Sequence, residues 1–183
     1  MMSPSGPRPK IAVETRAAID PARLEGTNIN PVTGLATDFL NHFNEAIMLL
    51  ELLPSAPDCI EDFLSWRPMT YREHFEASHF KHRDLAIAAY ENADPLYRQQ
   101  LDEISAQMNR ILLATQDGLK GNLAADTMRI LAGATDHWLR PLVARAGALI
   151  NGEPAALRPV HEAEPQDTVD ALFDHEVESV FHC

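Results

Sequence analysis

Eight histidines among 183 residues, set beside 27 acidic side chains, are the first place to look for chemistry. Asp38, His42 and Glu45 stand at i, i+4 and i+7 and share one stripe if that stretch is helical. Glu76 and His79 have the Glu-x-x-His spacing of metal-binding helices, with His74, His82 and Asp84 close by, and Asp136 and His137 form a third group. Taken together, His42, Glu45, Glu76, His79 and His137 are a candidate ligand set for iron or zinc, since helical bundles house such centres by projecting Glu and His inward from facing helices.

The spacing argues against that set as much as for it. A carboxylate-bridged di-iron centre of the ferritin-like or hemerythrin-like kind needs more than one such motif. Here Glu-x-x-His occurs once, and no His-x-x-x-His pair occurs at all. The plainer reading places His42 in or beside a core, bonded to a neighbouring carboxylate, and places His74, His79 and His82 on solvated faces. Ser65, Ser78 and Ser105 sit in helical sequence without the strained elbow a nucleophile needs. Cys59 reads as a buried inert thiol, and Trp66 and Trp138 as residues that fill or rim the core. No catalytic residue is assigned and no cofactor is expected.

Positioning these side chains falls to helices. Between Met69 and Arg140 the only proline is Pro95, and Ala, Leu, Glu, Gln and Arg dominate, so helix is favoured over strand. The first helix is expected over 35–53, after the Asn-Pro-Val-Thr-Gly turn at 30–34, with Leu35, Phe39, Phe43, Ala46, Leu50 and Leu53 as its apolar stripe and Leu40 and Ile47 beside them. A short piece spans 58–66. The second long helix opens on the capping box Thr70 to Glu73 and is expected to continue to about residue 91. The third has Asp94 as cap, Pro95 at its first position and a heptad of Tyr97, Leu101, Ile104, Met108, Ile111 and Thr115, closing at Gly118 and Gly121. The fourth is expected over 123–150 on a stripe of Leu131, Ala134, Trp138, Leu142, Ala146 and Leu149, kinked or broken at Pro141. The fold expected is all-α, an up-and-down four-helix bundle over 31–151 with an N-terminal arm over 1–30.

Charge divides the chain differently. The net charge is −12, which disfavours nucleic acid and anionic membrane as principal partners. Residues 152–183 carry Arg158 alone against eight acids, whereas 31–151 carry ten basic and sixteen acidic groups. No apolar run is long enough to span a membrane, and prolines at 4, 7 and 9 interrupt any secretory leader, so a cytoplasmic location is expected. The two cysteines, Cys59 and Cys183, lack the spacing of a zinc finger or a disulfide framework. Residues 152–166 hold Pro154, Pro159 and Pro165 and read as an extended acidic linker. Beyond it, 167–183 begins with a two-turn amphipathic stretch in which Val169, Leu172 and Phe173 form one apolar face and Asp170 and Asp174 stand opposite.

The sequence QDTVDALF, residues 166–173, resembles the Gln-Asp-x-Ile-Asp-Ala-Leu-Leu/Phe peptide at the termini of bacterial flagellar motor switch proteins and, more loosely, the end of the chemotaxis phosphatase. In those families the peptide binds the receiver domain of a response regulator. The resemblance implies Val169, Leu172 and Phe173 as apolar anchors and Asp167 and Asp170 as polar contacts. The phosphatase also presents an acid and a Gln four residues apart, a relation that Glu103 and Gln107 share, but its surrounding context is missing and Ala114–Gly118 is a faint echo. A non-enzymatic regulatory or adaptor bundle that binds a protein partner through its tail is the function expected. The alternatives are a metal-binding bundle and an obligate oligomer, a homodimer being its simplest form.

Overall fold

The computed structural model describes residues 19–121 and 123–157, which are mostly helical and contain no β-strand. Six α-helices follow one another among them: α1 (Asn41–Leu52), α2 (Ile60–Ser65), α3 (Tyr71–Ala77), α4 (Arg83–Asn92), α5 (Pro95–Leu119) and α6 (Ala125–Ile150).

The two longest helices, α5 and α6, form an antiparallel hairpin. Its register is fixed at one level by Thr115 and Thr135, whose hydroxyls meet at 2.8 Å, and at another by Arg145 donating to the Gln100 side chain at 3.3 Å. Asp94 caps α5 by accepting from the Leu96 amide at 2.8 Å, and Pro95 occupies the first helical position, where a missing N–H costs nothing. Leu101, Ile104, Met108 and Leu112 of α5 are fully buried. Against α6 lies α1, also antiparallel, with Arg140 of α6 ion-paired to Glu51 of α1. The apolar stripe expected at the start, Leu35, Phe39, Phe43, Ala46, Leu50 and Leu53, is buried without exception.

The segment before α1 is folded onto the body. A turn at 30–34 is closed by the Asn30 side chain, which accepts from the Val32 and Thr33 amides at 2.8 and 3.1 Å, and Ile29 and Ala36 form an isolated antiparallel bridge. Leu24 and Ile29 join the core and tie this segment to the body at two points. Gly34 takes φ +70°, and a Cβ there would stand 2.9 Å from the Ala89 carbonyl oxygen, so α4 approaches this turn as closely as backbone allows.

Three expectations are corrected. The helix expected over 70–91 is two helices, because Ser78 adopts extended backbone and its hydroxyl donates to the Phe75 carbonyl and accepts from the Phe80 amide, an arrangement that competes with helical hydrogen bonding. The capping box at its start is present as expected. Of the kink or break expected at Pro141, the break does not occur: α6 runs through it, with the ring on the exposed side of the helix. The buried positions of α6 are Ala132, Thr135, Leu139, Ala146, Leu149 and Ile150: before Pro141 the stripe is rotated by about one residue from the expected one and Trp138 is 45% exposed, whereas Ala146 and Leu149 are buried as expected.

Candidate functional site

The densest gathering of titratable and aromatic side chains lies where α1 meets α2 and α3. Phe39, Phe43 and His42 reach it from one side, Trp66 from the end of α2, and Tyr71, His74 and Phe75 from α3. His42 stacks on Trp66 with ring centroids 4.7 Å apart and planes at 23°, and the indole N–H of Trp66 donates to the His42 carbonyl at 3.2 Å. His74 lies 6.0 Å from His42 and edge-on to both Phe39 and Phe75. Gln116 of α5 closes the far side, its amide donating to the Phe63 and Trp66 carbonyls at 2.7 and 2.8 Å.

Burial governs the electrostatics of this seam. It pulls the His42 imidazole down to about 4, assisted by the proximity of His74 and opposed by a hydrogen bond to the Arg67 backbone. His74 is also lowered by burial, against the pull of Asp38, through both its backbone and its charge, and of the Glu45 carboxylate. Both rings are therefore neutral near pH 7. His42 Nε2 is buried without a hydrogen-bond partner, as is Asp38 Oδ2. A neutral imidazole with an unpartnered nitrogen inside an aromatic nest is a group that acid disturbs, because the cation it would become has no counter-charge in contact.

A second polar thread runs through α3, α4 and α5. The Tyr71 hydroxyl accepts from the Ala36 amide at 2.9 Å, its ring stacks on Tyr90 at 4.4 Å, and the Tyr90 hydroxyl donates to Asp102 at 2.8 Å. Burial raises both phenols well above their ordinary value and raises the Asp102 carboxyl as well.

The structure places the candidate ligands separately. Of the stripe Asp38, His42 and Glu45, each comes near His74, for which the sequence suggested a solvated face: His42 by its ring, and Asp38 and Glu45 by their charge. Glu76 is exposed and pairs with Arg72 at 3.2 Å, His79 is exposed, and His137 is exposed beside Trp138. Among the described residues no group of three or more His, Cys, Asp and Glu side chains stands close enough to hold a metal ion. The hydrogen bond expected between His42 and a carboxylate goes instead to the Arg67 backbone. A signal for His74 is present in the chain: Tyr71, His74, Phe75 and Ser78 recur at i, i+3, i+4 and i+7, which puts His74 on the inner face of a short helix.

Of the pair with the phosphatase spacing, Glu103 is exposed and accepts from Gln99 and Gln100, and Gln107 is half-buried. In the fainter echo, Gln116 is a buried structural amide. Cys59 is free, and half-buried rather than fully buried as expected. The tail residues Asp167, Val169, Asp170, Leu172 and Phe173 lie outside the described residues. No helix among the described residues is long and apolar enough to cross a membrane. No family model, no curated protein and no solved structure matches the chain.

Proposed function

We propose that the chain is a cytoplasmic regulatory or adaptor protein of bacterial type that binds a protein partner through its C-terminal segment 167–183, and that the partner is a response-regulator receiver domain. In this reading the body is a four-helix bundle in which α1, α5 and α6 are three of the rods and α3 with α4 takes the place of the fourth. The antiparallel registers of α1, α5 and α6 and the tyrosine thread joining α3, α4 and α5 support that arrangement.

One observation carries the functional reading: the amphipathic stretch QDTVDALF stands behind an acidic, proline-punctuated connector. The body supplies a fixed base for it. After α6 the chain turns at Gly152 with φ +78° and forms a 3-10 turn, Pro154–Leu157, whose Ala156 is buried in the core. Whatever follows Leu157 is therefore carried from an anchored point. Two turns of helix are too short to persist alone and fold when they dock, which suits a recognition element on a tether. Titrating a labelled peptide spanning 162–176 into receiver domains from the same organism tests the reading. Saturable binding that disappears when Leu172 and Phe173 become Ala supports it, and absence of such binding removes it.

A second reading, association of two copies, is favoured by the outer side of α6, where Ile130 is 47% exposed and Trp138 nearly as much, with Gly133, Pro141 and Ala144 also exposed. A light-scattering mass near twice 20.3 kDa would establish it, and a mass of one chain would exclude it.

A further inference from the structure

A cleft of about 420 Å³ opens between the Pro21–Leu24 turn and the first half of α4. Arg23 enters it from the turn, and Lys81 and His82 from the chain leading into α4. Ile19, Leu85 and Ala88 supply its apolar part. Asp84 is the one acid in the lining, and its side chain is 96% exposed and faces Arg83 at 3.7 Å. Arg23 and Lys81 have no ion pair among the described residues, in a protein whose net charge is −12. Two segments about sixty residues apart thus place uncompensated positive charge around apolar surface.

We propose that this cleft is the docking site of the chain's own acidic segment 167–174, which closes onto it as an intramolecular latch. The proposal rests on the reading of 167–183 as a recognition segment and adds its regulation. The chemistry matches on both counts: Val169, Leu172 and Phe173 suit the apolar part, and the neighbouring carboxylates of Asp170 and Asp174 suit the rim cations.

Reach also favours it. Thr33 donates to the Ile150 carbonyl at 2.7 Å, the neighbouring Gly34 lies against Ala89, and Ala88 lines the cleft. The end of α6 and the cleft are therefore joined by the same short turn. From Ala88 back to Lys81 is about 10 Å along the helix direction. The connector 158–166 spans up to about 30 Å when extended, enough to return from Leu157. A short tether holds its peptide at an effective concentration of about 1 mM, so an intrinsic Kd of about 0.1 mM closes the latch about ten to one. Occupying the segment in this way lowers its apparent affinity for a partner by the same factor.

Hydrogen exchange on the intact chain tests the latch without any partner. Amides of 168–174 are expected to exchange about tenfold more slowly in the unaltered protein than in Leu172→Ala/Phe173→Ala, and to lose that protection in Arg23→Glu/Lys81→Glu, with α5 and α6 exchanging alike in all three. Equal exchange of 168–174 in all three proteins overturns the proposal, as does protection that survives the charge reversal. Protection that falls on tenfold dilution places the segment in the cleft of another copy and overturns the intramolecular latch. Binding of a receiver domain to the same proteins is a separate readout. If the chain binds a receiver domain while its tail is unprotected, the latch alone fails. If both hold, Arg23→Glu/Lys81→Glu binds the receiver domain about tenfold more tightly.

Discussion

Replacing His42 with Phe should remove a specific part of the protein's acid sensitivity. In the folded chain burial lowers the His42 imidazole to about 4, whereas an exposed histidine in the unfolded chain titrates near 6.5. Because the folded value is the lower one, the unfolded chain takes up the proton first, and stability falls as pH drops through about 6.5, with the loss complete below about 4. Each tenfold difference in proton affinity between the folded and unfolded chains is worth about 1.4 kcal/mol. The full effect is therefore roughly 3 kcal/mol, of which about 2 kcal/mol falls between pH 7.5 and 5.0. Phe keeps a ring against Trp66, and whatever it loses by giving up the bond to the Arg67 backbone is independent of pH. Urea unfolding at pH 7.5, 6.0 and 5.0 measures the difference, and with an m-value of about 2 kcal/mol/M the unaltered protein's midpoint should fall about 1 M further than the variant's. His74 is displaced in the same direction and Asp102 in the opposite one, but both are present in each protein and largely cancel in the comparison. Equal losses for the two proteins over this range would refute the idea of a buried, neutral, counter-charge-free His42.

Three further outcomes follow from the packing. Gly34→Ala should cost roughly 2–5 kcal/mol in thermal or urea unfolding, because it adds left-handed strain and places a Cβ against the Ala89 carbonyl, whereas Gly26→Ala, with φ +71° and nothing within 4 Å, should cost about 1 kcal/mol. Gln116→Leu should cost about 2–4 kcal/mol by leaving the Phe63 and Trp66 carbonyls unpaired, and should also change the Trp66 emission, which loss of a surface amide would not. A double-mutant cycle of Thr115→Val and Thr135→Val should show a coupling energy of about 1 kcal/mol across the α5–α6 contact, and additive costs would mean the two hydroxyls do not meet.

Much of the helical body is legible in the chain, because a 3.6-residue apolar repeat states which face is buried. The stripe from Leu35 to Leu53 is buried at each position, and the Asp94–Pro95 and Thr70–Glu73 signals mark true helix starts. What escapes the pattern is decided by single local contacts. The chain around Ser78 has helical composition on both sides, and only the hydroxyl's bonds to Phe75 and Phe80 show why α3 ends there. Along the first half of α6 the small residues Ala132 and Ala134 suit two adjacent stripes equally well, so tertiary packing chooses the one that turns Trp138 outward. The candidate site is half legible for the same reason. His42 and Glu45 are found by spacing on α1, with Asp38 in the turn just before it, while His74 comes from α3, a separate helix, and its ring lies against Phe39 and His42, a meeting that no spacing in the chain states. The cationic cleft is still less visible, since Arg23 and Lys81 stand on segments far apart in the chain and no spacing connects them.

The central claim, that the tail is a recognition element for a receiver domain, is tested most directly by calorimetric titration of the intact chain with receiver domains from the same organism. The expected result is saturable one-to-one binding that is lost in Leu172→Ala/Phe173→Ala while thermal unfolding of the body is unchanged. Binding of the same strength in that variant, or no binding to any receiver domain, would contradict it.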